Sequence, residues 1–303
     1  KRILSALLTL GMVLTMLPVS VFATEPGDGS GTTSYGADHN DVAVGVPTGV
    51  TVGIYGTSKD AELVSGVNIV KEGATNTKYE IGDGQAVMIS GQERSEDDPI
   101  VFENCTFILS GGTVRISGSY DGISHNGAAV TKLWIGGNVQ FNNCVFVTTD
   151  GATKTTNEGN DAAIYFYNGN IELNNCELSA EGYNGQFLGL YGSSGAVTFK
   201  NCDISTVGNK NGWSYAMYGG SVLKLNQSTM TATGMSTDSG NINAFYSGDN
   251  RTGYDAIYFT DSIVDFSDNK AGGFAINNVN IHVNNSQVTV NNNLGNACNS
   301  GYW

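Results

Sequence analysis

Four short apolar runs end in tyrosine: Ile164-Tyr165-Phe166-Tyr167, Leu188-Gly189-Leu190-Tyr191, Tyr215-Ala216-Met217-Tyr218 and Asn243-Ala244-Phe245-Tyr246. If each run is a strand, alternate residues point to opposite faces. Phe166, Leu190, Met217 and Phe245 then face inward, and Tyr167, Tyr191, Tyr218 and Tyr246 face outward as a ladder. The small residues Gly189, Ala216 and Ala244 beside them would leave a shallow groove. Trp213 and Tyr183 fall in the loops that enter this face. Phenol rings stack on sugar faces, and their hydroxyls reach sugar hydroxyls. The chemistry expected of Tyr167, Tyr191, Tyr218, Tyr246, Trp213 and Tyr183 is therefore carbohydrate binding. The plain alternative is aromatic stacking that only stabilises a sheet.

Other residues offer less. Glu177 and Asp203 should face outward on adjacent strands, near the separation of a retaining glycosidase pair or of a shared calcium ion. The rest of their row is Thr106, Val145, Thr229, Ile263 and Gln287, which builds no cleft, so a solvated face is the alternative. The acidic loops Glu96-Asp97-Asp98, Asp150 to Asp161 and Asp249 to Asp255 are calcium candidates, but none follows an ordered calcium-loop pattern. Calcium apart, no cofactor is expected. His125 is the one histidine in a loop suited to catalysis, and nothing pairs with it as a triad. Cys105, Cys144, Cys176 and Cys202 share a sequence slot with Ser228, Ser262 and Ser286. A slot that takes either residue wants a small side chain, which points to buried, reduced thiols; a disulfide within the row is the alternative. A zinc site needs convergent ligands, not a linear row. Cys298 belongs to a different row.

These residues are positioned by a repeat. From Ile100 onward, one pattern recurs seven times: an aliphatic residue, any residue, Phe, Leu or Val, any residue, Asn, Gln or Asp, then Cys or Ser, any residue, and an apolar residue. The first copy is Ile100-Val101-Phe102-Glu103-Asn104-Cys105-Thr106-Phe107. Successive Cys or Ser positions are 39, 32, 26, 26, 34 and 24 residues apart. An irregular period with a short minimum marks a solenoid whose turns carry insertions. Within a copy, alternation breaks at the two residues before the Cys or Ser and then resumes, so two strands meet at a bend. Asn suits the bend because it tolerates a left-handed backbone. The tyrosine-ending runs supply a third strand per coil. The fold expected is all-β, a right-handed parallel β-helix with three strands per coil and at least seven coils, the hand following the rule for parallel crossovers. Its inward row should be Phe102, Phe141, Leu173, Phe199, Leu225, Phe259 and Val283.

On these residues the chain resembles a known family. Val197-Thr198-Phe199-Lys200-Asn201-Cys202-Asp203-Ile204 is similar to one coil of the pectin-lyase-like right-handed β-helix superfamily, a resemblance covering residues ~80–303. It implies the fold. It implies no single activity, because that superfamily holds polysaccharide lyases, glycosidases, adhesins and inert stalks. The lyases combine calcium-binding carboxylates with an Arg or Lys base on the first-strand face, where this chain carries Tyr, Gly and Ala. The polygalacturonase-like Gly-His-Gly and Arg-x-Lys motifs are not in the sequence.

The remaining chain sets the context. Lys1-Arg2, an apolar run from Ile3 to Phe22 and Val21-Phe22-Ala23 read as a secretory signal peptide over 1–23. A flexible Gly/Ser/Thr/Asp-rich linker is expected over 24–40, a strand-rich cap over 41–80, and the β-helix over 81–303. Ala297-Cys298-Asn299 repeats Ala275-Ile276-Asn277 at an offset of 22, as if the chain stopped mid-coil within a longer protein. The 303 residues carry a formal charge of −14, from 28 acids against 14 bases, which excludes a protein that tracks a nucleic-acid backbone. Hydrophobic residues at 40% exclude disorder. High Gly (41) and Asn (33) with low Pro (4) fit many tight turns. The expectation is a secreted or cell-surface domain that meets an extracellular glycan or host surface, in adhesion or carbohydrate binding. The alternatives are a polysaccharide lyase or hydrolase, and an inert spacer.

Overall fold

The computed structural model describes strands at 42–44, 51–55, 61–65 and 67–70. It then describes residues 71–295, except 121–122, 150–151, 154–160, 193, 211, 237–241, 249–254 and 277–278, and the strand Cys298–Asn299. All belong to one unit, Gly36–Trp303. The signal segment and linker expected over 1–40 lie outside the described residues.

Every regular element among the described residues is a strand. The strands build sheets of ten, eight and nine members, called here the first, second and third sheets, and a separate hairpin joins Thr51–Tyr55 to Ala61–Ser65. The chain visits the three sheets in turn. Gln186–Tyr191 lies in the first, Val197–Lys200 in the second and Asp203–Val207 in the third, and Tyr215–Tyr218 then returns to the first. Each strand pairs in parallel with its counterpart one coil on. The protein is a parallel β-solenoid with three strands per coil. Val67–Val70, Ala74–Thr75 and Thr77–Ile81 form a coil ahead of the first sequence copy. The longest repeat interval is explained by an antiparallel arm, Val114–Tyr120, paired with the first half of the strand Ile123–Gly137.

The bend between second and third strands is where the repeat's Asn earns its place. Asn104, Asn143, Asn175, Asn201, Gln227, Asp261 and Asn285 all have φ between 46° and 54°, a left-handed backbone that short polar side chains tolerate best. Their side chains also bond from coil to coil: Asn175 Nδ2 donates to Asn143 Oδ1 at 3.3 Å, and Asn201 Nδ2 to Asn175 Oδ1 at 2.8 Å.

The Cys or Ser that follows does more than fill space. Each backbone N–H in the column donates to the side chain one coil on: Cys105 N to Cys144 Sγ at 3.4 Å, Cys144 N to Cys176 Sγ at 3.4 Å, Cys202 N to Ser228 Oγ at 3.0 Å, and Ser262 N to Ser286 Oγ at 3.0 Å. Each thiol or hydroxyl donates in turn to the carbonyl two residues before it, as Cys144 Sγ does to Asn142 O at 3.3 Å. The slot needs a small group that both donates and accepts, which Cys and Ser share. Cys105, Cys144, Cys176 and Cys202 are free and buried, and burial pushes the Cys176 thiol above its ordinary range.

Phe102, Phe141, Leu173, Phe199, Leu225 and Phe259 form the expected inward row, in register and at most 1% exposed. Val283 corrects the expectation: it is in register with Phe259 yet 53% exposed, because no described coil stacks on its far side. A second correction concerns the last strand. Cys298 pairs with Phe274, an offset of 24 and not 22, matching the Ser262-to-Ser286 interval of 24.

The corner from third to first sheet receives a buried lysine. Lys132 is fully buried, and its Nζ donates to Gly82 O and to Gly112 O, the latter at 2.8 Å. Asp83 Oδ1 accepts from Gly112 N at 2.9 Å.

Candidate binding face

The tyrosines stand on the outer face of the first sheet, as alternation requires. Two outward rows run across it. The first is Met88, Trp134, Tyr165, Gly189, Ala216 and Tyr246; the second is Ser90, Gly136, Tyr167, Tyr191 and Tyr218. Tyr167, Tyr191 and Tyr218 are therefore consecutive rungs of one ladder. Tyr246 is not the fourth. Phe245 pairs with Tyr215 and Tyr246 with Ala216, a slip of two residues, so Tyr246 lies one row aside. Gly248 N donates to Met217 O at 2.9 Å beyond the paired strand. The slip puts Gly248 beneath the rings, where a Cβ would meet Tyr218 Cδ1 at 2.7 Å.

That contact is one case of a general arrangement. The rings lie along the sheet over glycines. A Cβ on Gly136 would meet the Trp134 ring at 2.2 Å, and one on Gly219 would meet Tyr191 at 3.4 Å. Ring faces are shared within the molecule: Tyr167 and Tyr191 stack with centroids 6.0 Å apart and planes 4° apart, and Trp134 tilts over Tyr167 at 5.7 Å. Trp213 stacks on Tyr246 at 4.1 Å and 9° and leans toward Tyr218 at 6.3 Å. Tyr191 is 38% exposed, while Tyr167, Tyr218, Tyr246 and Trp213 are half-buried. Burial, then the neighbouring Tyr191, holds the Tyr167 phenol above its ordinary pKa. The face offers ring edges and neutral hydroxyls more than open ring faces.

Tyr183 is a correction. It is fully buried, with Ala152, Asn209 and Met235 as its column mates in the corner between third and first sheets. Its turn, Gly182-Tyr183-Asn184, enters the inside of the first sheet and not its outer face. Strand alternation alone cannot tell an inward corner from an outward loop. Aligning Tyr183 with Met235 would have revealed it.

Beside Tyr191 the turn from first to second sheet leaves a depression of about 220 Å³, lined by Asn168, Tyr191, Ser194 and Ser221 among others. Asn168 Oδ1 is buried there without a protein donor, and Trp213 Nε1 is buried without a protein acceptor. It is shallow and open to solvent.

Glu177 and Asp203 are direct partners on adjacent third-sheet strands. Both carboxyls are held above their ordinary pKa by burial, and Glu177 also by the charge of Asp203. They sit on an open face between Val145 and Thr229. In the first acidic loop, Asp98 pairs with Arg94 at 3.2 Å and Glu96 accepts from Asn170 Nδ2. Residues 150–151 and 154–160 of the second acidic loop, 249–254 of the third, and the side chains of Asp161, Asp255 and His125 fall outside the described residues. Among the described residues no group of three or more His, Cys, Asp or Glu is placed to hold a metal ion. On the second sheet an outward pair, Tyr258 and His282, stacks at 4.5 Å and 4°, in register with Lys224. The repeat alignment puts all three in one column, which is the signal that finds them.

No known protein family, curated protein or solved structure matches the chain.

Proposed function

We propose that this chain is a secreted β-helix domain of the pectin-lyase-like type that binds an extended extracellular glycan along the outer face of its first sheet, in adhesion or carbohydrate recognition. The reading is supported above all by the in-register row Tyr167, Tyr191 and Tyr218, with Tyr191 at 38% exposure at its centre. The shallow relief favours a polymer lying on the surface over a small molecule in a pocket. The phenol hydroxyls of Tyr167 and Tyr191 supply donors and acceptors of the kind sugar hydroxyls satisfy. At −14 the chain repels polyuronates, so a neutral or amino-sugar polymer is the better substrate class.

A second reading has its own observation. The 4.1 Å stack of Trp213 on Tyr246 and the rings laid over glycines are what a purely structural aromatic cover requires, and they favour a spacer. Titrating glycan-array hits against Tyr191→Ala separates the two. Binding by the intact chain, weakened several-fold by the substitution at ~1 kcal/mol per aromatic contact, is the expected result. No hit, or hits indifferent to Tyr191→Ala, leaves the spacer.

A further inference from the structure

Two phenols on the first sheet are held as a reactive pair would be. Tyr167 and Tyr191 are direct register partners on adjacent strands, 24 residues apart in sequence. Their rings lie 6.0 Å apart with planes within 4° of each other. The neighbours fix that arrangement from both sides. Trp134 tilts over Tyr167 at 5.7 Å, and Gly219 leaves the space that the Tyr191 ring fills.

The other described tyrosines are placed differently. Tyr79, Tyr165, Tyr183 and Tyr215 are at most 6% exposed, which seals them from an oxidant at the surface. Tyr258 has a histidine, His282, as its stacking partner. Tyr218 and Tyr246 are close at 5.7 Å, but their planes are 51° apart and Trp213 covers Tyr246 at 4.1 Å. Tyr191 is 38% exposed, so one member of the parallel pair is open to attack while the other is held against it.

We propose that Tyr167 and Tyr191 are a site of oxidative cross-linking, joined as a dityrosine between neighbouring coils. Each phenol gives up one electron and its proton. The two phenoxyl radicals couple through a ring carbon beside each hydroxyl, and loss of the hydrogens on those carbons restores both phenols. One C–C bond forms, two C–H bonds break, and two protons and two electrons leave. Hydrogen peroxide, acting through a haem peroxidase, takes them up and becomes two waters. The fold supplies proximity: two groups fixed on adjacent rungs couple within one molecule, without a diffusive encounter. This chemistry stands whether or not the face meets a glycan.

Treating the purified chain, at low concentration, with a haem peroxidase and hydrogen peroxide tests this. Proteolysis and mass spectrometry should recover a linked peptide pair that holds Tyr167 and Tyr191, lighter by two hydrogens and carrying dityrosine fluorescence. Tyr167→Phe and Tyr191→Phe each keep the ring and remove the phenol, so both should fold and lose the product. Tyr258→Phe, at a phenol 36% exposed on the second sheet, should leave the yield unchanged. The linked chain should melt at a higher temperature, since a bond between neighbouring coils restricts the unfolded chain as a disulfide does. Treatment in urea should scatter the links among other tyrosines. A product that joins Tyr191 to Tyr218, or that links separate chains, overturns the proposal. So does oxidation of single rings with no linked pair, or a yield that survives either ladder variant.

Discussion

Lys132 is the residue whose chemistry departs furthest from its surroundings. It is buried, and burial lowers its pKa from 10.5 to about 8, with Asp83 opposing the shift. An unfolded chain holds the lysine proton up to its ordinary pKa, whereas the folded chain releases it from about 8. Between those values the unfolded state binds more protons, so stability rises with pH; below about 8 the cost of the buried ammonium is present in full. The rise should reach about 2 kcal/mol by pH 9.5. The window closes near 10, where buried tyrosines such as Tyr79, pushed up to about 12, begin to lower stability as unfolded phenols ionise. Denaturant titrations at pH 7, 8 and 9.5 read this directly, and Lys132→Met should abolish the slope. Equal slopes in both proteins would refute the assignment. Nothing in the local sequence marks Lys132, because its carbonyl partners, Gly82 and Gly112, are 50 and 20 residues away. The Cys/Ser column, by contrast, is legible from sequence as a shared slot, though its hydrogen-bonded ladder emerges only when the coils are stacked.

At the scale of the strand, the second and third sheets were legible and the first was only half so. The Asn bend anchors register in the former: each copy starts a fixed number of residues before a left-handed residue, and the stacking follows. The first sheet has no such anchor, since its strands follow insertions of varying length. Alternation therefore predicts which face Tyr246 takes but not its rung, which the two-residue slip onto Ala216 sets. Tyr183 failed for the related reason that corners are set by the neighbouring coil. The anchored sheet permits a sharper expectation. Phe199 is fully buried, meeting Phe166 edge-to-face at 6.1 Å and 87°. Phe199→Ala should cost about 3–5 kcal/mol. Val283→Ala, in the same column but 53% exposed, should cost well under half as much, since most of its surface is already in water. Unfolding both variants in urea checks the contrast, and equal losses would mean the column is not a graded stack.

The whole molecule is a one-dimensional array, in which each coil is stabilised by itself and by its two neighbours. Central coils such as Ile171–Glu181 and Val197–Val207 have partners on both sides in all three sheets. Among the described residues, the coil carrying Val279–Asn284 and Gln287–Thr289 has one packed neighbour, and beyond it only Cys298–Asn299 on the first sheet. Its interface with water holds the apolar side chains that a further stacking contact would shelter. Local opening should therefore cost least at this end, and protection should rise toward the middle as each amide comes to need more broken interfaces before it is exposed. In hydrogen exchange, the amides of 279–289 should exchange faster than those of 171–204, with the coils between them graded. Uniform protection across all coils would instead make the solenoid a single cooperative block, in which the uncovered end costs the molecule nothing that its other interfaces do not already hold.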